Sequence, residues 1–382
     1  MAGTENCYAG MGNRRRIGRV RHRTCSFRHA LNRMEKSADA RLLWLTAGIT
    51  VFGLVMLLSA SGPLGFEKFG DAYWFFKHQL LFGLLPGIAL FSIAFKTPTA
   101  WLEKMSRPIF IFCVLLLVAV LIPGIHADFG NSKSWISIFG FSFQPSEVMK
   151  FGLIVFLAKW LSWRAETNMV RDGAATLLPF AGIIGGVLAL VALQPDVGTL
   201  AILSVIAFCM FMAAGASFKH IAFLFLCGTF ALFLLIRAAP YRAERLMTFL
   251  HPELDPEGIG YHVNQAILAV GSGGVFGQGL GHSRQKFQYL PEVAGDSIFA
   301  IMAEELGFIG AAAFVCLLAY FVLRMLNVAA AARDSFSRLV VIGVAAWIFS
   351  QAFVNIGAML GLAPLTGVPL PFLSYGGTSL AM

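Results

Sequence analysis

Asp296 is the residue of this chain best placed to move a proton. It directly precedes the apolar run Ile298–Leu323 and ends a long polar segment, so it marks the start of a membrane-crossing helix. A carboxylate there can cap the helix by accepting from its first amides. It can equally serve as a general base at the membrane boundary. The two roles are compatible. Upstream runs Gly271-Ser272-Gly273-Gly274-Val275-Phe276-Gly277-Gln278-Gly279-Leu280-Gly281, then His282-Ser283-Arg284-Gln285-Lys286 and Leu290-Pro291-Glu292. The glycines match neither the dinucleotide nor the P-loop fingerprint, and no strand precedes them. They read either as a plain loop or as amides that, with Arg284 and Lys286, hold a phosphate at the membrane surface.

Other polar residues stand at or inside apolar runs. Glu304 and Glu305 are adjacent acids at hydrocarbon depth, where carboxylates are costly and face a cavity or a partner. At about 100° per helical residue, Glu304 lies about 80° around from Asp296 and Glu305 about 180°. Only Glu304 can then share an outward cavity with Asp296. The pair reads as a proton or ion pathway, or as half of an ion pair between helices. Glu147 and Lys150 are spaced i,i+3, which permits a local ion pair. They follow Trp135 and Gln144-Pro145-Ser146, so they could also line a site; Trp135 alone fits an interfacial anchor. Gln194-Pro195-Asp196 has the composition of a turn that caps the next helix.

These residues need helices to position them, and the composition supplies helices for a bilayer. Of 382 residues 58% are hydrophobic and 13% charged, with a mean hydropathy of +0.74, against about a quarter charged in a soluble domain. A span needs about 20 apolar residues. Such stretches fall near 42–60, 74–95, 108–126, 147–163, 174–193, 197–215, 221–239, 297–323 and 339–360, and a tenth starts near Ser374 and is cut off at Met382. With the N-terminus inside, the short inner loops carry ten Lys and Arg (Lys96, Lys104, Arg107, Lys159, Arg164, Arg171, Lys219, Arg324, Arg333, Arg338), and the short outer loops only Lys68 and Lys133. The segments 127–146, 194–196, 240–296 and 361–373 then face outside, and these hold the polar, Gly and Pro residues. The net charge of +9 does not point to nucleic acid, because eight arginines crowd into the first 33 residues. That stretch lacks the apolar core of a signal peptide. It reads as a basic cytoplasmic tail over 1–40, or over 1–33 as a mis-start ahead of Met34-Glu35-Lys36. The six cysteines show no metal or disulfide spacing.

Taken in order, Trp135, Gln144-Pro145-Ser146-Glu147 with Lys150, Gln194-Pro195-Asp196-Val197-Gly198-Thr199, the 271–281 glycines, Leu290-Pro291-Glu292 with Asp296, Glu304-Glu305-Leu306-Gly307, and Pro369 with Ser374-Tyr375-Gly376-Gly377-Thr378-Ser379 resemble the successive signatures of the FtsW/RodA (SEDS) family of peptidoglycan glycosyltransferases. The likeness runs from about residue 40 to the end, and Gly279–Phe287 is closer to the division-associated branch. The resemblance implies an all-α polytopic domain, 41–382, of ten transmembrane helices with an extracytoplasmic loop, 240–296, between the seventh and eighth. It implies polymerisation of lipid II into glycan strands outside the inner membrane, at the division septum, with Asp296 as the catalytic carboxylate. Implied partners are lipid II, the nascent glycan strand, a class B penicillin-binding transpeptidase and other divisome membrane proteins. The leaving pyrophosphate would be met by Lys133, Arg284, Lys286 or a divalent cation, magnesium or manganese. Candidate substrate-binding residues are Lys133, Trp135, Gln144, Glu147, Lys150, Gln194, Asp196, Arg284, Gln285, Lys286, Glu292, Glu304 and Ser374. Ser134 stands where the family usually has Arg, and Ala294-Gly295-Asp296-Ser297 replaces its usual His-Thr-Asp-Phe. A lipid II translocator, an elongation-type polymerase and a scaffold that recruits a transpeptidase are the alternatives.

Overall fold

Apolar runs long enough to cross a bilayer must fold as helices, because hydrocarbon offers the backbone no other hydrogen-bond partners. The computed structural model describes residues 39–123, 126–129, 132–138, 141–237 and 240–381. The arginine-rich residues 1–38 lie outside them. The chain divides into two units, Met1–Trp44 and Leu45–Met382, and the second carries everything described below. The helices are α1 (Ala40–Phe69), α2 (Trp74–Lys96), α3 (Thr99–Ala119), α4 (Pro145–Glu166), α5 (Gly173–Ala192), α6 (Val197–Ala213), α7 (Phe218–Arg237), α8 (Pro240–Leu250), α9 (Ile259–Ser272), α10 (Ile298–Ala331), α11 (Ser335–Met359) and the short α12 (Gly377–Ala381). Helix thus forms at each expected span. Among the described residues α1, α2, α5, α7, α10 and α11 are long and apolar enough to cross a membrane, and α6 is apolar but shorter. The helices α3 and α4 are long but carry charges along their length, such as Glu103 and Lys104 near the start of α3, or Glu147 and Lys150 in α4.

The core forms where α4, α6 and α11 pack together, with α3 against α4 and α9 along α10. Met149, Leu153 and Leu157 of α4, Ile202, Ile206 and Met210 of α6, and Leu339 of α11 are fully buried there.

One feature corrects the sequence reading. The fold is mostly helical rather than all-α: β1 (His126–Phe129), β2 (Ser132–Ile138) and β3 (Phe141–Phe143) form an antiparallel sheet in the order β1-β2-β3. Ile136 pairs with both His126 and Phe143. Aromatic and β-branched residues suit a pleated surface, and Ser134 and Ile136, two apart, share its buried face. The segment 240–296 contains the helices α8 and α9.

The eighth apolar run is a broken helix. At Gly307 the backbone takes φ 69°, ψ −172°, a conformation open essentially to glycine alone. An unbroken helix would bond the amides of Phe308 and Ile309 to the carbonyls of Glu304 and Glu305. Instead the glycine-rich loop inserts. Gln278 and Gly279 donate to the Glu304 and Glu305 carbonyls at 3.0 Å each, while Phe308 and Ile309 donate to Gly274 (2.9 Å) and Val275 (3.2 Å). These four groups freed by the break are all satisfied, as burial requires. A Cβ on Gly307 would lie 2.2 Å from the Gly277 nitrogen. Gly307→Ala is therefore expected to destabilise by about 3 kcal/mol or more, strain and collision together. Gly274→Ala, with φ +55° and open space for a Cβ, should lose only about 1–2 kcal/mol. Melting temperatures in detergent that fail to separate the two would refute the close approach.

Candidate functional site

Asp296 sits one residue before the helix N-cap. Ser297 occupies the cap position of α10, which corrects the reading of Asp296 as the cap. Its backbone carbonyl accepts from the Asn355 side chain of α11 at 2.8 Å. Its side chain is half-buried; Oδ1 is buried without a hydrogen-bond partner, and Oδ2 lies 4.0 Å from where a Cβ on Gly367 would be. Burial, then the neighbouring Glu292 carboxylate, push the Asp296 pKa up from 3.8 to about 7; donors on Ser297 and its own amide pull the other way. Glu292 is exposed and has φ +48°, a left-handed conformation uncommon for a side-chain-bearing residue. The tight turn 292–297 brings these two acids together, closed by Gly295 and Ser297 amides donating to the Glu292 carbonyl at 2.9 and 3.3 Å.

A polar column continues from this corner into the bundle. Asn355 also donates to Val368 O at 2.8 Å, and Gln351, one turn earlier on α11, donates to Pro369 O at 2.9 Å. Gln351 Oε1 accepts from Lys150 Nζ (2.9 Å) and Trp347 Nε1 (2.6 Å). Lys150 pairs with Glu147 at 2.6 Å and lies 5.0 Å from the centre of the Trp347 ring. The strap 366–375 is thus tied to α11 and to the Asp296 turn, because Tyr375 N donates to Ala294 O at 2.7 Å. Ser374 is buried inside the strap, its Oγ accepting from Leu370 N at 2.7 Å.

The Glu304 carboxylate is taken up by the 283–285 segment. It accepts from the Ser283 hydroxyl, from Arg284 N at 2.9 Å and from Gln285 N at 3.4 Å. The helix break below it makes this possible, since the inserted loop brings the 283–286 turn over the acid. Glu305 pairs with Lys286 at 3.0 Å and accepts from the Ser59 hydroxyl of α1 at 2.6 Å. The remaining Lys286 donors reach Gly281 O (2.7 Å) and Ser59 O (3.3 Å). All three of its N–H groups are engaged and it is buried, so Lys286 anchors the loop and has no hand free for a phosphate. Arg284 is exposed. Gln285 is half-buried, with Oε1 unpartnered.

The other candidates sit on the 144–196 side. Gln144 Nε2 donates to Asp196 Oδ2 at 3.1 Å, and Asp196 Oδ1 caps α6 by accepting from Thr199 N at 2.9 Å. Buried Gln194 donates to Leu117 O at 3.1 Å. Trp135 is half-buried on β2 opposite Ala127; the Lys133 side chain falls outside the described residues. Among the described residues no three of His, Cys, Asp and Glu converge as a metal cage.

A family model described as cell cycle protein, FtsW/RodA/SpoVE, matches residues 40–382. The chain belongs to this family. It is 41% identical to stage V sporulation protein E of Bacillus subtilis (strain 168) over 347 residues, 91% of this chain and 94% of that protein. It is 36% identical to the probable peptidoglycan glycosyltransferase FtsW of Geobacter sulfurreducens (strain DL-1 / KN400) over 342 residues, 90% of this chain and 91% of that one. Among solved structures, a chain of a peptidoglycan synthase complex that coordinates polymerization and crosslinking superposes with a TM-score of 0.71 at 27% identity, covering 90% and 93% of the two chains. The rod shape determining protein RodA of Thermus thermophilus gives a TM-score of 0.65 at 28% identity, covering 90% and 92%. With its apolar helices, this family member is a multi-pass membrane protein.

Two residues of the site escape a sequence reading. Asn355, inside an apolar run, and His262, in the stretch Tyr261-His262-Val263-Asn264-Gln265, have no role assignable from spacing, yet each is bonded to the Asp296–Ser297 corner. One signal for His262 was available: it shares the buried face of α9 with Val263, Ala266 and Ala269, where a polar residue needs a partner.

Proposed function

We propose that this family member polymerises lipid II into glycan strands on the outer face of the cytoplasmic membrane, in septal wall synthesis, with Asp296 as general base. The observation that carries the reading is the Asp296 carboxyl itself, half-buried beside Glu292, with an unpartnered oxygen and a pKa near neutrality. A carboxyl whose pKa is raised towards neutrality takes up a proton more readily than an ordinary aspartate. In the step proposed, Asp296 takes the proton of the acceptor sugar hydroxyl as that oxygen bonds to the anomeric carbon of the donor. The bond from that carbon to undecaprenyl pyrophosphate breaks, its electron pair leaves with the pyrophosphate, and configuration inverts. Exposed Arg284 is the cation assigned to the leaving group. Among the described residues no three of His, Cys, Asp and Glu form a cage, and any magnesium or manganese ion is proposed to arrive with the pyrophosphate.

Translocation loses its sequence motive, because Glu304 and Glu305 are committed to loop anchoring and to Lys286. The proposed partner is a class B penicillin-binding transpeptidase, in keeping with the synthase complex that the fold matches. Incubating the purified chain with lipid II, with and without such a transpeptidase, and resolving glycan products on gels tests the activity; no polymer in either arm would refute it. Ten spans are part of this reading, and the Lys and Arg bias supports an inner N-terminus and 240–296 outside. A cysteine at position 282 should then react with an impermeant thiol reagent in intact cells, and labelling only after lysis would reverse the topology.

A further inference from the structure

We propose that His262 is a positioning residue for Asp296, acting through the hydroxyl of Ser297. The His262 ring is buried on α9, and its Nε2 lies 2.6 Å from Ser297 Oγ. The same hydroxyl donates to Pro291 O at 2.8 Å. A hydroxyl has one proton; with that proton directed at Pro291, Oγ must accept from the ring, which assigns the imidazole hydrogen to Nε2. Burial lowers the His262 pKa to about 4, so the ring is neutral near pH 7 and the tautomer is fixed by the bond it makes.

Residue 297 is where three elements meet. Its hydroxyl joins α9 to Pro291, its amide closes the turn onto Glu292, and its carbonyl accepts from the α10 amides of Ala300 (3.0 Å) and Ile301 (3.4 Å). Asp296 is the neighbouring residue, and its own carbonyl is held from the other side by Asn355. The groups that face its carboxylate are few. The turn presents Glu292 and Ser297 and the strap presents Gly367, while Asn355 of α11, which does not titrate, holds the backbone carbonyl. From α9 the one titratable group that reaches the corner is His262. A leucine would fill that buried space without desolvating two ring nitrogens. The imidazole is justified there by the hydrogen bond it gives.

This proposal rests on Asp296 as the base, so its test has an arm that needs no activity. The full chain, with its transpeptidase partner, would be prepared as His262→Leu, His262→Asn, His262→Gln, Ser297→Ala and the double variant His262→Leu/Ser297→Ala. One readout is kcat and KM for lipid II polymerisation against pH. The other is the pH midpoint of carbodiimide labelling at Asp296, read by mass spectrometry. His262→Leu should lower kcat by roughly tenfold or more at unchanged KM, as expected when a reacting group is misplaced, and displace the labelling midpoint from its wild-type value as the carboxyl moves relative to Glu292. His262→Asn, too short to reach, should behave alike and stands in if the leucine variant does not fold. His262→Gln keeps an N–H at the right reach and should recover most of the loss. On the Ser297→Ala background, His262→Leu should add nothing further. Costs that add in full, or a His262→Leu protein altered only in melting temperature, would overturn the proposal. If wild type makes no polymer, the base reading fails, and the labelling midpoints still decide whether His262 positions the carboxylate.

Discussion

Asp296→Asn is expected to give a folded, membrane-inserted protein that still binds its transpeptidase partner and makes glycan about 10²–10⁴-fold more slowly, the loss typical of removing a general base. Ser297, not Asp296, holds the cap position of α10, so removing the charge should not loosen that helix. Stability should in fact move the other way. The folded-state pKa of about 7 lies above the ordinary 3.8. The stability linked to this group is therefore whole below pH 3.8 and is lost as pH rises through about 7. Asn never ionises, so the variant should melt above wild type at pH 8, and the gap should close as pH falls towards 4. Glu292→Gln provides the matching kinetic sign. It removes a neighbouring negative charge, lowers the Asp296 pKa and should shift the acid limb of kcat/KM to lower pH. An Asp296→Asn protein that polymerises lipid II near the wild-type rate would leave Asp296 without a catalytic role.

The helices were legible because a bilayer demands about 20 apolar residues in succession, and that demand is local. Even the charged α4 forms where expected, whereas α3 starts nine residues ahead of its expected span and ends seven short of it. The break at Gly307 was not legible: the apolar run continues through Leu306 and Phe308, and glycine is common inside membrane helices. What breaks the helix is the loop 274–279, whose amides and carbonyls replace the i→i−4 partners from about thirty positions away in the chain. The site divides along the same line. Asp296 and the Glu147–Lys150 pair could be read from their spacing. The partners that give them meaning, Asn355 for Asp296 and Gln351 for Lys150, lie 59 and 201 positions away. Lys286 shows the opposite error. Its sequence neighbourhood pointed to phosphate, while Glu305 and Ser59, brought beneath it by the fold, claim its charge.

Lys150→Met is expected to destabilise by about 3–5 kcal/mol, the usual result of leaving one member of a buried ion pair unpaired. Lys150 is completely buried, and Glu147 Oε2 already lacks a partner, so deleting the lysine strands a carboxylate with nothing to accept from. The damage should spread. Lys150 and Trp347 share the Gln351 oxygen, and the Gln351 amide holds the strap at Pro369. Neutralising both ends should reverse most of the loss, because Glu147→Gln/Lys150→Met keeps similar volumes without an uncompensated charge. The single variant should therefore melt well below wild type in detergent and the double variant close to it. Limited proteolysis across 361–376 should follow the same order, since the strap is held from α11 rather than by the charges themselves. A double variant that melts as low as Lys150→Met would mean that the stability comes from the lysine's contacts with Gln351 and Trp347, and that the ion pair with Glu147 is incidental.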